Sequence, residues 1–299
     1  MDGGDRGGGG VESGRVEGVR VTADGLGLKG SRGWAFQGVT LDAEPGSLIA
    51  IEGPSGSGRT CLLLALTGRM KPTEGAAEAG GLPLPRRMAA VRRIAALAHV
   101  AGVTDLEPAL TVGEHLRERA LLQRRFGGAL REVLRPRPER THEARLRVDA
   151  ALAAAGLDPE TLPKGSRTAV RDLERMEALR LSVALALIGR PRLLGVDDLD
   201  LKLSDTERTE AWNLLRSLTR AGTTVVAVCR TAPEDADTVT VSTDTDADVD
   251  TDKNMDTDAG RSTGTVTGTD TESGTAETTT DATTTGEEDS DALAEAGRS

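Results

Sequence analysis

The sequence predicts an α/β domain with a mainly parallel sheet, and three observations carry that prediction. Residues 53–60 read GPSGSGRT, a glycine-rich turn set between a short apolar run and the leucine-rich stretch CLLLALTGRM. Strand, glycine loop and helix in that order are the context a phosphate-cradling loop requires. Farther on, PRLLGVDD and TTVVAVCR are short apolar strands separated by the helical stretch TERTEAWNLLRSLTRAG. Strands alternating with helices imply parallel pairing through helical crossovers. Finally, composition changes abruptly near residue 236, so only about the first 235 of the 299 residues are expected to build the domain.

Taken in order, the opening MDGGDRGGGG has no apolar core of a signal peptide, and residues 1–15 are expected to be a flexible N-terminus. Residues 16–52 alternate apolar and polar in short runs, which predicts antiparallel strands leading into a buried strand over 47–52. Residues of about 103–180 are rich in Ala, Leu, Arg and Glu at helical spacing, as in LTVGEHLRERALLQRRF and ARLRVDAALAAAGL, and read as an inserted helical lobe. Trp212, on the helix after PRLLGVDD, reads as a core residue. No internal repeat is evident, and no apolar run approaches the roughly 18 residues of a membrane span.

Residues 236–299 hold 17 acidic and 3 basic residues, a net of −14, so the other 235 carry +3 of the chain's total of −11. With almost no large apolar side chain, that tail cannot offset roughly 1–2 kcal/mol of backbone entropy per residue, and a disordered acidic Thr/Asp-rich tail is expected. Its spaced aspartates do not make a calcium loop: counting from Asp248, Lys253 stands where glycine is needed and Ala259 where a bidentate Glu is needed. Cys61 and Cys229 form no paired motif, and neither they nor His99, His115 and His142 have metal-ligand spacing. These features predict a cytoplasmic protein in a reducing compartment. No nucleic-acid partner is expected.

The chemistry is concentrated in Gly53, Pro54, Ser55, Gly56, Ser57, Gly58, Arg59, Thr60 and Cys61. Glycines let successive backbone N–H groups point at phosphate oxygens, the following helix adds its positive end, and the Thr60 hydroxyl is positioned for a magnesium ion. Arg59 takes the place of the usual lysine. It keeps the charge, but its planar fork is bulkier and not interchangeable with an ammonium. With 32 Arg against 5 Lys in the chain, arginine is also simply the preferred cation here.

GPSGSGRTCLLLALTGRMKPTEG, then EPALTVGEHL, then LERMEALRLSVALALIGRPRLLGVDD, in this order and spacing, resemble the nucleotide-binding subunits of ABC transporters over roughly residues 16–232, which makes 16–235 the expected nucleotide-binding domain. The resemblance implies a P-loop NTPase domain of ABC type: mainly parallel sheet, antiparallel N-terminal β subdomain, inserted helical subdomain. It implies ATP and Mg2+ as ligands, with Thr60 and Asp197 as the metal-holding pair. It places the catalytic carboxylate at Asp198, where the family has glutamate, and the switch histidine at Arg230. The LSGGQ signature falls on Leu173, Glu174, Arg175, Met176 and Glu177, and the loop glutamine near Gly102. Leu28 or Lys29 falls where the family stacks adenine on an aromatic ring, with Trp34 close by.

By the same resemblance the chain would pair as a homodimer or heterodimer of nucleotide-binding domains. It would dock, through the helical lobe and the loop around Gly102, on an integral membrane permease-like subunit at the inner face of the cell membrane. Each nucleotide would lie between one subunit's phosphate loop and the other's signature, where Glu174, Arg175 and Met176 replace the serine and both glycines and Glu177 ends the segment. Two readings follow: an ATP-binding subunit that hydrolyses slowly to drive or regulate its partner, or a pseudo-ATPase kept as a scaffold. A small-molecule kinase built on the same loop is disfavoured, because PRLLGVDD follows a segment in the signature position.

Overall fold

The computed structural model describes residues 17–31, 33–126, 137–199, 202–232 and 238–242. The expected flexible N-terminus and, apart from residues 238–242, the expected tail lie outside them. Two sheets form. β1 (Val21–Gly30), β2 (Gly33–Ala43), β4 (Glu74–Ala79) and β5 (Leu82–Leu84) make an antiparallel sheet in the order β2-β1-β4-β5. The alternation of residues 16–52 announces the first two strands. β4 and β5 join them from beyond the phosphate loop, a pairing between segments too far apart for local sequence to announce.

The second sheet is parallel, in the order β6-β7-β8-β3-β9, from β3 (Leu48–Glu52), β6 (Ala95–Ala98), β7 (Leu193–Val196), β8 (Thr224–Cys229) and β9 (Thr238–Ser242). β3 and β8 are apolar without alternation because both of their faces are covered, as parallel sheets demand. On one face Leu48, Ala50, Leu194, Val196, Val225 and Ala227 join a core with the helices of the lobe and Trp212. On the other, Ile49, Ile51, Leu193, Val226 and Val228 join a core with the antiparallel sheet and the helix after the loop. β9 extends the domain beyond residue 235: its TVTVS run pairs in parallel with β3, Leu48 opposite Thr238. β-branched residues suit an edge strand, a signal masked by the Thr/Asp-rich composition around it.

Six helices are present among the described residues: α1 (Arg59–Leu66), α2 (Met88–Ile94), α3 (Val112–Phe126), α4 (Arg137–Ala155), α5 (Arg175–Leu187) and α6 (Asp205–Arg220). α3 and α6 begin with reciprocal caps. Thr111 N–H donates to Glu114 Oε2 at 2.8 Å, and Ser204 N–H donates to Glu207 Oε2 at 2.8 Å, so each helix starts where a Thr or Ser precedes a Glu by three. The lobe comprises α3, α4 and short 3-10 turns, after which α5 runs on to Leu187 and packs into the core beneath the parallel sheet. The lobe is therefore tied to the sheet through α5.

Gly195 in β7 faces close neighbours on β6 and α1. A Cβ there would stand 2.7 Å from Leu97 Cδ2 and 2.8 Å from Leu63 Cδ1. Overpacking of that kind typically costs 1–3 kcal/mol, so Gly195→Ala is expected to lower the urea midpoint by an amount equivalent to about 2 kcal/mol. An unchanged midpoint would show that the β7–α1 layer relaxes freely.

Candidate nucleotide site

The functional residues collect at the carboxyl ends of β3, β6, β7 and β8, where an open parallel sheet places its ligand crevice. β3 ends at Glu52 and the chain turns through Gly53–Gly58 into α1. Ser57 N–H donates to the Pro54 carbonyl at 3.2 Å, closing the turn. Gly58, the residue before α1, has φ +84° and lies against β2: a Cβ would stand 1.8 Å from the Ala35 carbonyl oxygen. Only glycine fits there. The four orphan N–H groups at the start of α1 meet no side-chain cap and no acidic residue in the first turn, leaving the helix end open to an anion.

Thr60 and Asp197 meet although 137 residues separate them. Thr60 Oγ1 donates to Asp197 Oδ2 at 2.8 Å. The other oxygen, Oδ1, accepts the Asp198 N–H at 3.0 Å. Asp197 is 3% exposed. Burial raises its pKa above the ordinary carboxylate value; the Thr60 hydroxyl lowers it, the Asp198 charge raises it, and the Asp198 N–H and Arg59 lower it further. A buried carboxylate beside a second carboxylate favours a cation. Neighbouring ligands of an octahedral magnesium ion lie about 2.9 Å apart, so the Thr60–Asp197 spacing and its hard oxygen donors fit that ion.

Asp198 has φ +45°, a left-handed conformation that Asp tolerates better than most residues. Arg59 Nη1 donates to the carbonyl of Cys229, the last residue of β8, so part of its fork is committed to the protein. Arg230 follows directly and is exposed. Cys61 is partly buried against the core on the α1 side, and burial, with Asp197, holds its thiol above the ordinary pKa. Pro54 and Ser55 are exposed at the tip of the loop.

One position differs from expectation. The structure places His99, not Gly102, next to the Thr60–Asp197 pair. β6 ends at Ala98, which is opposite Val196 in β7, so the next residues, His99 and Asp197, leave the sheet side by side. Gly102 lies in the following turn, its N–H donating to Asp105 Oδ2 at 2.8 Å. His99 has φ +55°, and its N–H donates to Ser182 Oγ on α5 at 2.7 Å. It is exposed along one side, yet the protein around its ring lowers its pKa by desolvation, against the raising pull of Asp198, Asp197 and Asp105. The sequence signal was the strand end itself, hidden in the Ala-rich run AALA.

The segment LERME opens a helix. Glu174 precedes α5, and its N–H donates to Glu177 Oε2 at 2.8 Å. A carboxylate of the chain itself thus occupies the positive end of this helix. Arg175 Nη1 is bonded to the Lys202 carbonyl. Trp34 is 38% exposed with the Lys29 ammonium 5.2 Å from its ring centroid, whereas Trp212 is buried as expected.

The family model described as "ABC transporter" matches residues 36–199. Nod factor export ATP-binding protein I of Cupriavidus metallidurans is 31% identical over 188 residues, covering 62% of this chain and 54% of that protein. Daunorubicin resistance ATP-binding protein DrrA3 of Streptomyces coeruleorubidus is 30% identical over 207 residues, covering 69% and 58%. The chain thus spans little more than half the length of these relatives. Among solved structures, cbiO1 of Clostridium perfringens superposes with a TM-score of 0.58 at 20% identity, covering 72% of this chain and 80% of that one. One chain of the dimeric post-hydrolysis ATP-binding cassette bound to ADP and Pi superposes at a TM-score of 0.53 and 24% identity, covering 71% of this chain and 88% of that one. At such identities the superpositions show the fold.

Proposed function

Since the chain belongs to the ABC transporter family of ATP-binding subunits, we propose that it binds Mg-ATP at residues 53–61 and hydrolyses it slowly to drive or regulate an integral membrane partner. The observation that carries this reading is the Thr60–Asp197 pair, 2.8 Å apart beside an uncapped helix start. Backbone N–H groups of Ser55, Gly56 and Gly58 would cradle the phosphates, Pro54 having none and that of Ser57 closing the turn, and Arg59 would add charge with those N–H groups that Cys229 does not use. Thr60 and Asp197 would hold magnesium, which when bound neutralises charge developing on the phosphates. Asp198 would take the proton of the attacking water. Arg230 and His99, at the ends of the neighbouring strands, would flank the terminal phosphate; no separate role for Cys61 is needed beyond packing the loop onto the core.

Two copies, or one copy and a different cassette, would close around the nucleotide, at the membrane's inner face. Among the described residues no helix is long and apolar enough to cross a membrane, which agrees with a separate membrane subunit. The reading is tested by titrating purified full-length protein with Mg-ATP, with Arg59→Ala alongside. Binding below millimolar concentration, weakened in the variant, is expected; no binding at millimolar nucleotide overturns it.

A second reading, the pseudo-ATPase scaffold, is favoured by one specific observation, the Glu177 carboxylate on the Glu174 N–H. In that position it repels the terminal phosphate that a partner's loop would present. Glu177→Gln removes the charge while keeping an acceptor, and on the enzyme reading turnover should rise severalfold. No rise, with nucleotide binding intact, supports the scaffold.

A further inference from the structure

A cavity of about 610 Å3 opens between α5 and the chain that follows β6, and His99, Ser182 and Asp198 are among the residues that line it. His99 comes directly after β6, and Asp198 lies two residues beyond the end of β7, so one crevice takes side chains that leave two neighbouring strands. The backbone of His99 is well anchored, its N–H donating to Ser182 Oγ at 2.7 Å. Its ring is not engaged in that way. Among the described residues neither ring nitrogen of His99 has a hydrogen-bond partner, whereas His115 Nε2 meets the Glu107 carbonyl at 3.3 Å. Among the same residues the Asp198 carboxylate accepts no hydrogen bond and forms no ion pair, although its N–H donates to Asp197 Oδ1 at 3.0 Å.

An imidazole and two carboxylates stand near one another without being paired to one another. Burial lowers the pKa of the His99 ring, against the pull of Asp198, Asp197 and Asp105. An uncharged imidazole beside carboxylates is a nitrogen ligand. Among the described residues no three of His, Cys, Asp and Glu are grouped to hold a metal by themselves. An ion here must therefore complete its shell from elsewhere, and the phosphates over the loop would supply oxygens. The oxygens of Thr60 and Asp197 suit magnesium, which demands oxygen ligands and gives up water reluctantly. A nitrogen beside them changes the balance, because imidazole favours first-row transition ions over magnesium.

We propose that His99 is a nitrogen ligand of the nucleotide-bound ion, and that the site therefore prefers a first-row divalent transition ion, of the manganese class, to magnesium. This rests on the reading that residues 53–61 bind a nucleotide, and it adds the metal chemistry of that same site. Thr60 and Asp197 supply oxygens to the ion, His99 supplies the nitrogen, and Asp198 is left for the attacking water. The backbone suits the role. His is among the non-glycine residues most often found in the left-handed conformation, and the φ of +55°, with the Ser182 bond, fixes where the ring leaves the chain.

The test uses Mn2+ as the probe, because its unpaired electrons report on the nuclei of its ligands. Full-length protein, made with ordinary or with 15N-labelled histidine, is loaded with Mn2+ and a nonhydrolysable ATP analogue and measured by electron spin-echo envelope modulation. A nitrogen coupling that changes from the 14N to the 15N pattern on labelling is expected. Adenine and backbone nitrogens are not labelled and do not produce that exchange. His99→Asn keeps a residue that tolerates positive φ and should abolish the histidine coupling. In equilibrium titrations of the same preparations, the preference for Mn2+ over Mg2+ should fall by at least about fivefold in His99→Asn, towards that of the free analogue. Bound Mn2+ and nucleotide without a histidine coupling, a coupling that survives in His99→Asn, or an unchanged metal preference overturns the proposal and leaves the nucleotide reading standing. No nucleotide bound with either ion overturns both.

Discussion

Gly58→Ala is expected to abolish Mg-ATP binding, lowering affinity by at least about a hundredfold, or close to 3 kcal/mol. Two costs combine. The left-handed φ of +84° penalises any side chain by roughly 1–2 kcal/mol, and the new Cβ would stand 1.8 Å from the Ala35 carbonyl oxygen. The contact is with backbone of β2, which is paired to β1 on either side of Ala35, at Trp34 and Phe36, and does not yield as a flexible side chain would. The loop must therefore move, and with it the N–H groups preceding α1. Gly56→Ala separates the two costs, because Gly56 has φ +88° but open space where its Cβ would be. That variant should lose only about five- to tenfold, the strain alone. Nucleotide titration with circular dichroism as a fold control decides it. Equal effects at Gly56 and Gly58 would mean that the contact with β2 is irrelevant to the loop.

The second large effect is a gain. Arg59→Lys together with Asp198→Glu should raise ATP turnover by about a hundredfold over the parent, provided the chain is an enzyme. A reacting group misplaced by about 1 Å loses on the order of a hundredfold, and the Asp198 carboxylate is one methylene short of the family's glutamate. Lysine would release the Cys229 carbonyl from the Arg59 fork and present a compact charge to the phosphates. One physical effect opposes the gain. Asp198 has φ +45°, where Glu is less comfortable than Asp by several tenths of a kcal/mol, so the double variant should also be slightly less stable. A phosphate-release assay on the full chain gives the answer. If turnover stays absent while Mg-ATP still binds, the slow-enzyme reading fails and the scaffold stands.

Much of the fold was legible along the chain because its signals are local. The apolar strands β3, β7 and β8 and the glycine turn into α1 each depend on neighbours within a few residues. The strands that escaped notice are β4, β5 and β6, whose sequences EGAAEA, LPL and AALA have little strand propensity. They are strands because a sheet edge offers them partners. β9 escaped for the opposite reason: its β-branched residues were lost in a Thr/Asp-rich background, and only pairing with β3 distinguishes them.

The same division applies to the site. By itself, the sequence determined the phosphate loop, its arginine and its hydroxyl, since strand, turn and helix are contiguous and the geometry follows from glycine's freedom at a single position. Only the tertiary structure decided which distant residues stand beside it. The parallel register of β6 with β7 brings His99, rather than Gly102, next to Asp197, and places Asp197 against Thr60. It also turned LERME from a list of missing residues into a helix end already filled by Glu177. Register and packing are long-range quantities, set by which strands pair and which faces must be buried, and no window of sequence contains them.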